Sequence, residues 1–119
     1  MRILVIEDEY TLADVIRAKL EKEKYIVDIS QDGEEGLYKA LTDIYDLIIL
    51  DVMLPNLNGF EILKKLSEEK VKSKIIMLTA RSTLSDKLEG LNGGANDYIT
   101  KPFHIEELTA VILTILLVF

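Results

Sequence analysis

Five side chains that could act together chemically stand where strand-like apolar runs of this sequence end. They are Glu7, Asp8, Asp51, Thr79 and Lys101. In a parallel α/β sheet, ligands bind outside the carboxyl ends of the strands, so these side chains should meet at one edge. Three carboxylates, a hydroxyl and an ammonium match a site for a hard divalent cation together with a phosphoryl group.

The three carboxylates favour a bound metal ion. Like charges a few ångströms apart repel by roughly 3 kcal/mol per pair at an effective dielectric constant of about 20. We expect a cation to relieve this repulsion, and all-oxygen ligation suits Mg²⁺, for which Mn²⁺ should substitute. Taken alone, Glu7 and Asp8 could equally be a solvated acidic turn. The residues at the other strand ends favour the metal site.

Asp51 is the candidate nucleophile. A carboxylate beside a bound metal can attack a phosphoryl group and form an aspartyl-phosphate. The metal and Lys101 would then balance charge on the phosphoryl oxygens, while Thr79 donates a hydrogen bond. Ala80 is small enough to leave the phosphoryl group a path to the site. A lone threonine or lysine at such a position is usually a turn or solvated residue, so the joint pattern carries the prediction.

Strand and helix patterns alternate five times along the chain, which indicates βαβ units and a parallel sheet. The apolar spacing predicts strands near 2–6, 26–30, 46–51, 74–79 and 97–100. It predicts helices near 11–23, 33–43, 59–69, 84–92 and 104–118, with Gly90, Gly93 and Gly94 ending the fourth helix. The middle strands are apolar on both faces, as expected where helices cover both sides of the sheet.

Composition narrows the class of protein. The 119 residues suit one domain, with 49% hydrophobic and 29% charged residues. The absence of cysteine excludes Cys-based metal sites and nucleophiles, and the net charge of −7 disfavours direct binding to nucleic acid. The first strand begins within two residues of Met1, which leaves no room for a signal peptide, so we expect a cytoplasmic protein.

Several short motifs resemble those of the receiver domain of bacterial two-component response regulators. They are Glu7-Asp8, residues 51–55 through Gly59, Thr79-Ala80 and residues 101–103. The resemblance covers residues 1–119 as a single domain. It implies a three-layer, doubly wound flavodoxin-like (CheY-like) fold, with five helices and a five-stranded parallel sheet in the order 2-1-3-4-5.

The resemblance also implies roles for the strand-end residues. Asp51 would accept phosphate from a sensor histidine kinase, so the domain would be a phosphoacceptor and not an enzyme. Weak self-catalysed phosphorylation from small phosphodonors, and autodephosphorylation, are expected. Asp8, Asp51 and the backbone carbonyl of Met53 would ligate Mg²⁺, with Glu7 acting through water. Lys101 would pair with the phosphoryl group.

Further implied features concern the bond after Lys101 and a conformational switch. The bond between Lys101 and Pro102 is cis in the family. Thr79 would move to the phosphoryl group, and Tyr98 would turn inward into the space released. From the sequence alone, Tyr98 could equally be a half-buried aromatic residue with an exposed hydroxyl.

Residues 87–91 and 94–98 place the chain near regulators of OmpR/PhoB type. These carry a winged-helix DNA-binding domain and dimerise through the fourth helix, fifth strand and fifth helix. Lys87, Asp97 and Glu107 match that dimer face. DNA contact is expected only through a C-terminal domain outside this chain.

The last helix departs from the resembled pattern. Val111, Val118 and Phe119 stand where arginines are usual. We therefore expect a homodimer held either by the charge-paired face or by an apolar contact of the terminal helix, with Val111 and Val118 pointing outward. Twelve mostly apolar residues from Leu108 onward are too few to span a bilayer, which takes about 20, so no membrane partner is expected.

Two other functions remain open. A Mg²⁺-dependent phosphohydrolase could use the same aspartyl-phosphate, although such enzymes typically carry a second Asp where Met53 stands. An inactive pseudo-receiver could serve only as an interaction module. The complete set of five strand-end residues disfavours the inactive pseudo-receiver.

Overall fold

Strands and helices alternate along the whole chain in the computed structural model, which describes residues 1–117. The strands are β1 (Arg2–Ile6), β2 (Ile26–Ser30), β3 (Leu47–Leu50), β4 (Lys74–Thr79) and β5 (Asp97–Thr100). The helices are α1 (Tyr10–Lys22), α2 (Gly33–Ala40), α3 (Gly59–Glu68), α4 (Leu84–Asn92) and α5 (Ile105–Leu117). The strands form one parallel sheet in the order β2-β1-β3-β4-β5, which confirms the predicted fold.

The two faces of the sheet carry separate halves of the core. In β1, Ile3 and Val5 pack on one side with buried residues of α1 and α5. Leu4 and Ile6 pack on the other side with buried residues of α2 and α3. Alternate strand residues point to opposite faces, so the apolar residues at every position of β3, and at every position of β1 after Arg2, require a helix layer on each side. This burial holds the strand ends, and hence the polar groups that follow them, in fixed positions.

One predicted helix end, that of α2, and the predicted role of Gly90 in ending α4 were wrong, whereas α4 ends at Asn92 as predicted. Helix α2 stops at Ala40, three residues before the predicted end, and Asp43 has a φ of 58°, in the left-handed region. Helix α4 continues through Gly90 to Asn92, and Gly94, with a φ of 114°, follows it. Gly90 instead allows close packing, because a Cβ there would lie 2.7 Å from the Tyr98 ring. Its role is to admit an aromatic ring against the helix.

The outward position predicted for Val111 was also wrong. Val111 is half-buried and packs against the core, next to the fully buried Ile112. The exposed large apolar residues of α5 are Leu113 and Leu117, at 52% and 67%. The core-facing stripe runs along 108, 112 and 116, and position 111 flanks that stripe by helical spacing. Val118 and Phe119 lie outside the described residues.

Within residues 1–117, the helices are all too short or too polar to cross a bilayer.

Candidate functional site

Backbone hydrogen bonds extend the sheet by one residue at its carboxyl end and position two buried carboxylates. The N–H of Glu7 donates to the carbonyl of Ser30 at 2.9 Å, and the N–H of Asp51 donates to the carbonyl of Ile6 at 3.1 Å. The two residues are only 3% and 4% exposed. Carboxylates are rarely buried to this degree without a partner.

The partner of both is Lys101, which follows β5. Its Nζ lies 2.6 Å from Oε1 of Glu7 and 2.9 Å from Oδ2 of Asp51. One ammonium therefore bridges residues delivered by β1 and β3. The expected repulsion between these two carboxylates is relieved in part by the protein itself, through Lys101, in addition to the cation that the sequence predicted.

Burial affects the two titrating partners differently. Burial raises the pKa of Glu7 to about 7, although the hydrogen bond from Lys101 opposes this. Burial disfavours the charged form of Lys101 too, but hydrogen bonds to Glu7 and Asp51 outweigh it and raise the pKa of the ammonium. Burial thus favours the neutral, protonated form of Glu7.

The acidic residues could hold a metal ion. Glu7, Asp8 and Asp51 each offer one carboxylate oxygen, and these oxygens all lie within 4.8 Å of one another. When all three are ionised, one ammonium leaves their charge incompletely balanced. The donor set is all oxygen, and Asp8 is exposed to solvent, which suits a cation that keeps several waters such as Mg²⁺. The residues present therefore fit the ion that the sequence predicted.

The loop after Asp51 lies against the carboxylate. The N–H of Met53 donates to Oδ1 of Asp51 at 3.1 Å, while the side chain of Met53 is 55% exposed. Ligation through the Met53 carbonyl remains a prediction. Gly59 ends the motif that the sequence analysis singled out, and a Cβ there would lie 2.2 Å from the carbonyl oxygen of Asp51. Glycine is needed for α3 to begin this close to the site.

Thr79 and Tyr98 converge on the loop between β4 and α4. Thr79 is fully buried at the end of β4, and its hydroxyl accepts from the N–H of Arg81 at 3.3 Å. Tyr98 is 9% exposed, and its hydroxyl donates to the carbonyl of Arg81 at 2.6 Å. Of the two possibilities for Tyr98, the exposed hydroxyl was wrong. Sequence reasoning missed Arg81, and only its place two residues after Thr79 could have drawn attention to it.

The remaining predicted residues lie where their elements place them. The bond between Lys101 and Pro102 is cis. Lys87 and Asp97 are half-buried on α4 and β5, and Glu107 is exposed on α5. Within the described part of the chain, none of the last three forms a salt bridge.

The sheet order and the site together define a class of protein. A parallel sheet in the order 2-1-3-4-5, with acidic residues after β1 and β3 and a lysine after β5, is a CheY-like receiver arrangement. The family description "Response regulator receiver domain" matches residues 3–113. The chain belongs to this family, and receiver domains of response regulators are phosphoacceptors rather than enzymes.

Similar proteins agree with this assignment. The chain is 52% identical over 115 residues to the response regulator ArlR of Staphylococcus saprophyticus, covering 97% of this chain and 52% of that protein. It is 49% identical over 110 residues to the transcriptional regulatory protein DltR of Streptococcus agalactiae, covering 92% of this chain and 49% of that protein. The chain thus spans about half the length of the curated relatives it matches.

A solved structure shows the same fold. The receiver domain of the Francisella response regulator 1452 superposes with a TM-score of 0.91 at 35% identity. The match covers 97% of this chain and 95% of that one.

Proposed function

We propose that Asp51 accepts a phosphoryl group from the phosphohistidine of a sensor histidine kinase. The observation that carries this proposal is the ammonium of Lys101 held 2.9 Å from Asp51, within a cluster that contains two further carboxylates. This arrangement supplies a nucleophile and a fixed positive charge beside it. Both are needed where negative charge gathers during phosphoryl transfer.

The transfer balances as a displacement at phosphorus. A carboxylate oxygen of Asp51 forms a bond to phosphorus while the P–N bond of phosphohistidine breaks and its electron pair stays on the imidazole nitrogen. Lys101 donates to one phosphoryl oxygen, and the hydroxyl of Thr79 donates to another. Asp8, Asp51 and the Met53 carbonyl would hold Mg²⁺, with Glu7 acting through water, and the bound ion would neutralise phosphoryl charge.

Phosphorylation then acts on an existing equilibrium. The new group adds up to about two negative charges at Asp51, enough to draw the Thr79 hydroxyl away from the N–H of Arg81. Tyr98 already lies inward with its hydroxyl on the carbonyl of Arg81. The signal would therefore move the Thr79 hydroxyl and strengthen the inward position of Tyr98 that this structure already has.

The phosphoacceptor is tested by incubating the protein with acetyl phosphate and Mg²⁺ and measuring its intact mass. The wild-type protein should gain one phosphoryl group that decays slowly, and Asp51→Asn should gain none. Asp46→Asn, at the other end of β3, is the matched control and should be phosphorylated normally. Uptake by Asp51→Asn at the matching position would exclude Asp51 as the acceptor. Multiple turnover would indicate a phosphohydrolase, and no uptake by wild type an inactive pseudo-receiver.

The output is proposed to be transcription through a separate domain. One relative is named a response regulator and another a transcriptional regulatory protein, and both are about twice the length of this chain. The net charge of −7 makes this domain a poor ligand for DNA. We place the protein in the cytoplasm, where a kinase and DNA are both within reach.

Association is proposed to occur through α4, β5 and α5 of two copies. Lys87, Asp97 and Glu107 have no salt bridge within residues 1–117, which leaves them available for pairs across a two-fold axis. Leu113 and Leu117 add exposed apolar area to α5. The dimer should therefore depend on apolar contact as well as on ion pairs.

Leu113→Arg should weaken self-association by about tenfold or more, since a buried contact of this kind contributes at least 1.4 kcal/mol. Sedimentation at low and high salt measures this, with Leu41→Arg on the opposite side as the control. Equal association of wild type and Leu113→Arg would show that α5 is not in the interface.

A further inference from the structure

A two-pronged ion pair closes the loop that joins β4 to α4. Nη2 of Arg81 lies 2.8 Å from Oδ1 of Asp86, and Nε lies 3.2 Å from Oδ2. Asp86 is only 6% exposed, although it belongs to the first turn of a surface helix. Two parallel hydrogen bonds between a guanidinium and a carboxylate fix orientation as well as distance. The loop is thereby fastened at both of its ends.

The carboxylate of Asp86 has a third partner. The hydroxyl of Thr83 donates to Oδ2 at 2.8 Å, and the N–H of Asp86 donates back to that hydroxyl at 3.1 Å. Thr83 therefore caps α4 without help from Arg81. The ion pair between Arg81 and Asp86 is therefore not required to begin α4.

The backbone of Arg81 connects the ion pair to the switch residues. Its N–H donates to the hydroxyl of Thr79 at 3.3 Å, and its carbonyl accepts from the hydroxyl of Tyr98 at 2.6 Å. Gly90 admits the Tyr98 ring, since a Cβ there would lie 2.7 Å from it. Arg81 thus pairs with Asp86 through its side chain and forms hydrogen bonds with the hydroxyls of Thr79 and Tyr98 through its backbone.

We propose that Arg81 and Asp86 are positioning residues, whose ion pair holds the β4–α4 loop so that Tyr98 stays inward. Neither side chain is among the groups that contact Asp51. The pair acts through the backbone of Arg81. This inference rests on the proposed function for its effect on phosphorylation, but its effect on Tyr98 can be measured without phosphate.

Removing the charge of Asp86 should release the Arg81 side chain and with it the fixed carbonyl that holds Tyr98. The inward population of Tyr98 then falls. Under the proposed function, phosphorylation and the inward position of Tyr98 belong to the same arrangement of the loop. The rate of phosphorylation therefore falls with the inward population of Tyr98. Coupling of two sites through a shared equilibrium typically amounts to about 5-fold or more, which sets the size of effect to expect.

The test compares wild type with Asp86→Asn, which keeps the shape of the side chain and removes its charge. Two quantities are measured: the rate of phosphorylation by acetyl phosphate with Mg²⁺, and the NMR contacts between the Tyr98 ring and Gly90, which report the inward position of the ring. The pKa of the Tyr98 phenol is not a suitable measure, because, besides burial, the charge of Asp86 itself contributes to raising it. In Asp86→Asn the rate should fall by about fivefold or more, and the ring contacts with Gly90 should weaken.

Controls separate this role from general stabilisation. Asp14→Asn breaks an Arg–Asp pair of similar chemistry with Arg17 on α1, and should change neither quantity. The double variant Arg81→Gln/Asp86→Asn should be no slower than either single variant, because the two residues act as a unit. If Asp86→Asn does not fold, Arg81→Lys, which keeps the charge and loses one prong, makes the same test with a smaller expected fall.

The outcomes are distinguishable. A lower thermal midpoint in Asp86→Asn, with the phosphorylation rate and Tyr98 unchanged, would show that the pair only stabilises the fold and would overturn the proposal. If the wild-type protein takes up no phosphoryl group, the proposed function fails, and the Tyr98 measurement alone decides the positioning role. An unchanged Tyr98 would then overturn it.

Discussion

The two ends of the sheet pair their charged groups in opposite ways. At the carboxyl end, Lys101 is shared by Glu7 and Asp51, and Asp8 adds a further carboxylate. Toward the amino end, the carboxylate of Asp28, midway along β2, accepts from both Arg2 at 3.3 Å and Tyr45 at 2.8 Å. The cluster at the carboxyl end has three carboxylates around one ammonium, whereas the carboxylate of Asp28 has two donors.

The other acidic residues of the amino end connect segments of the backbone. Asp46 accepts from the N–H of Arg2 at 2.8 Å, and Asp43 accepts from the N–H of Lys72 at 3.0 Å. The acidic residues of the amino end are thus paired with separate hydrogen-bond donors of the same chain. At the carboxyl end, three carboxylate oxygens instead lie within 4.8 Å of one another, and such a cluster of like charge indicates a partner from outside.

The largest difference between the two ends should follow from removing their cations. Lys101→Met leaves buried carboxylates unpaired and should cost about 3 kcal/mol of unfolding free energy, because breaking one side of a buried pair leaves an uncompensated charge. Arg2→Met should cost less than about 1 kcal/mol, since its pair with Asp28 is partly exposed. Urea unfolding of both variants without metal makes the comparison. Equal costs would show that the charge at the carboxyl end is not specially buried.

Metal addition should stabilise one end and not the other. At roughly ten times its Kd, Mg²⁺ should raise the unfolding free energy of the wild-type protein by about 1.4 kcal/mol. Asp8→Ala should lose this increase, whereas Asp46→Ala, a carboxylate at the amino end, should keep it. Thermal unfolding with and without Mg²⁺ measures both. An increase that survives in Asp8→Ala would rule out this carboxylate as a ligand.

The smallest expected effect concerns the phenol at the amino end. Tyr45→Phe should cost about 1 kcal/mol near neutral pH, the net value of one hydrogen bond. Burial and the hydrogen bond to Asp28 raise the pKa of Tyr45 from 10.0 to about 12. Its contribution is therefore complete below pH 10 and is lost as the pH rises through the folded-state pKa. The difference in stability between wild type and Tyr45→Phe should shrink over that alkaline range, and a constant difference would contradict the assignment.

Sequence reasoning predicted what depends on local pattern. The runs of apolar residues predicted all five strands and placed Glu7, Asp51 and Lys101 at one edge, because strand direction alone decides which ends meet. It could not predict that Lys101 bridges two carboxylates, which depends on three-dimensional distance between β1, β3 and β5. It also misplaced Val111, since the orientation of an almost wholly apolar helix cannot be determined from its polarity.

The strand order also has a consequence for synthesis of the chain. The contact between Glu7 and Lys101 joins residues 94 positions apart, and β1 lies inside the sheet next to strands made later. Under the proposed function, a nascent chain lacks the ammonium beside Asp51 until its fifth strand has left the ribosome and docked. An unfinished or C-terminally truncated copy therefore cannot respond to the kinase. Competence to receive the signal would itself report that the whole domain has been made and folded.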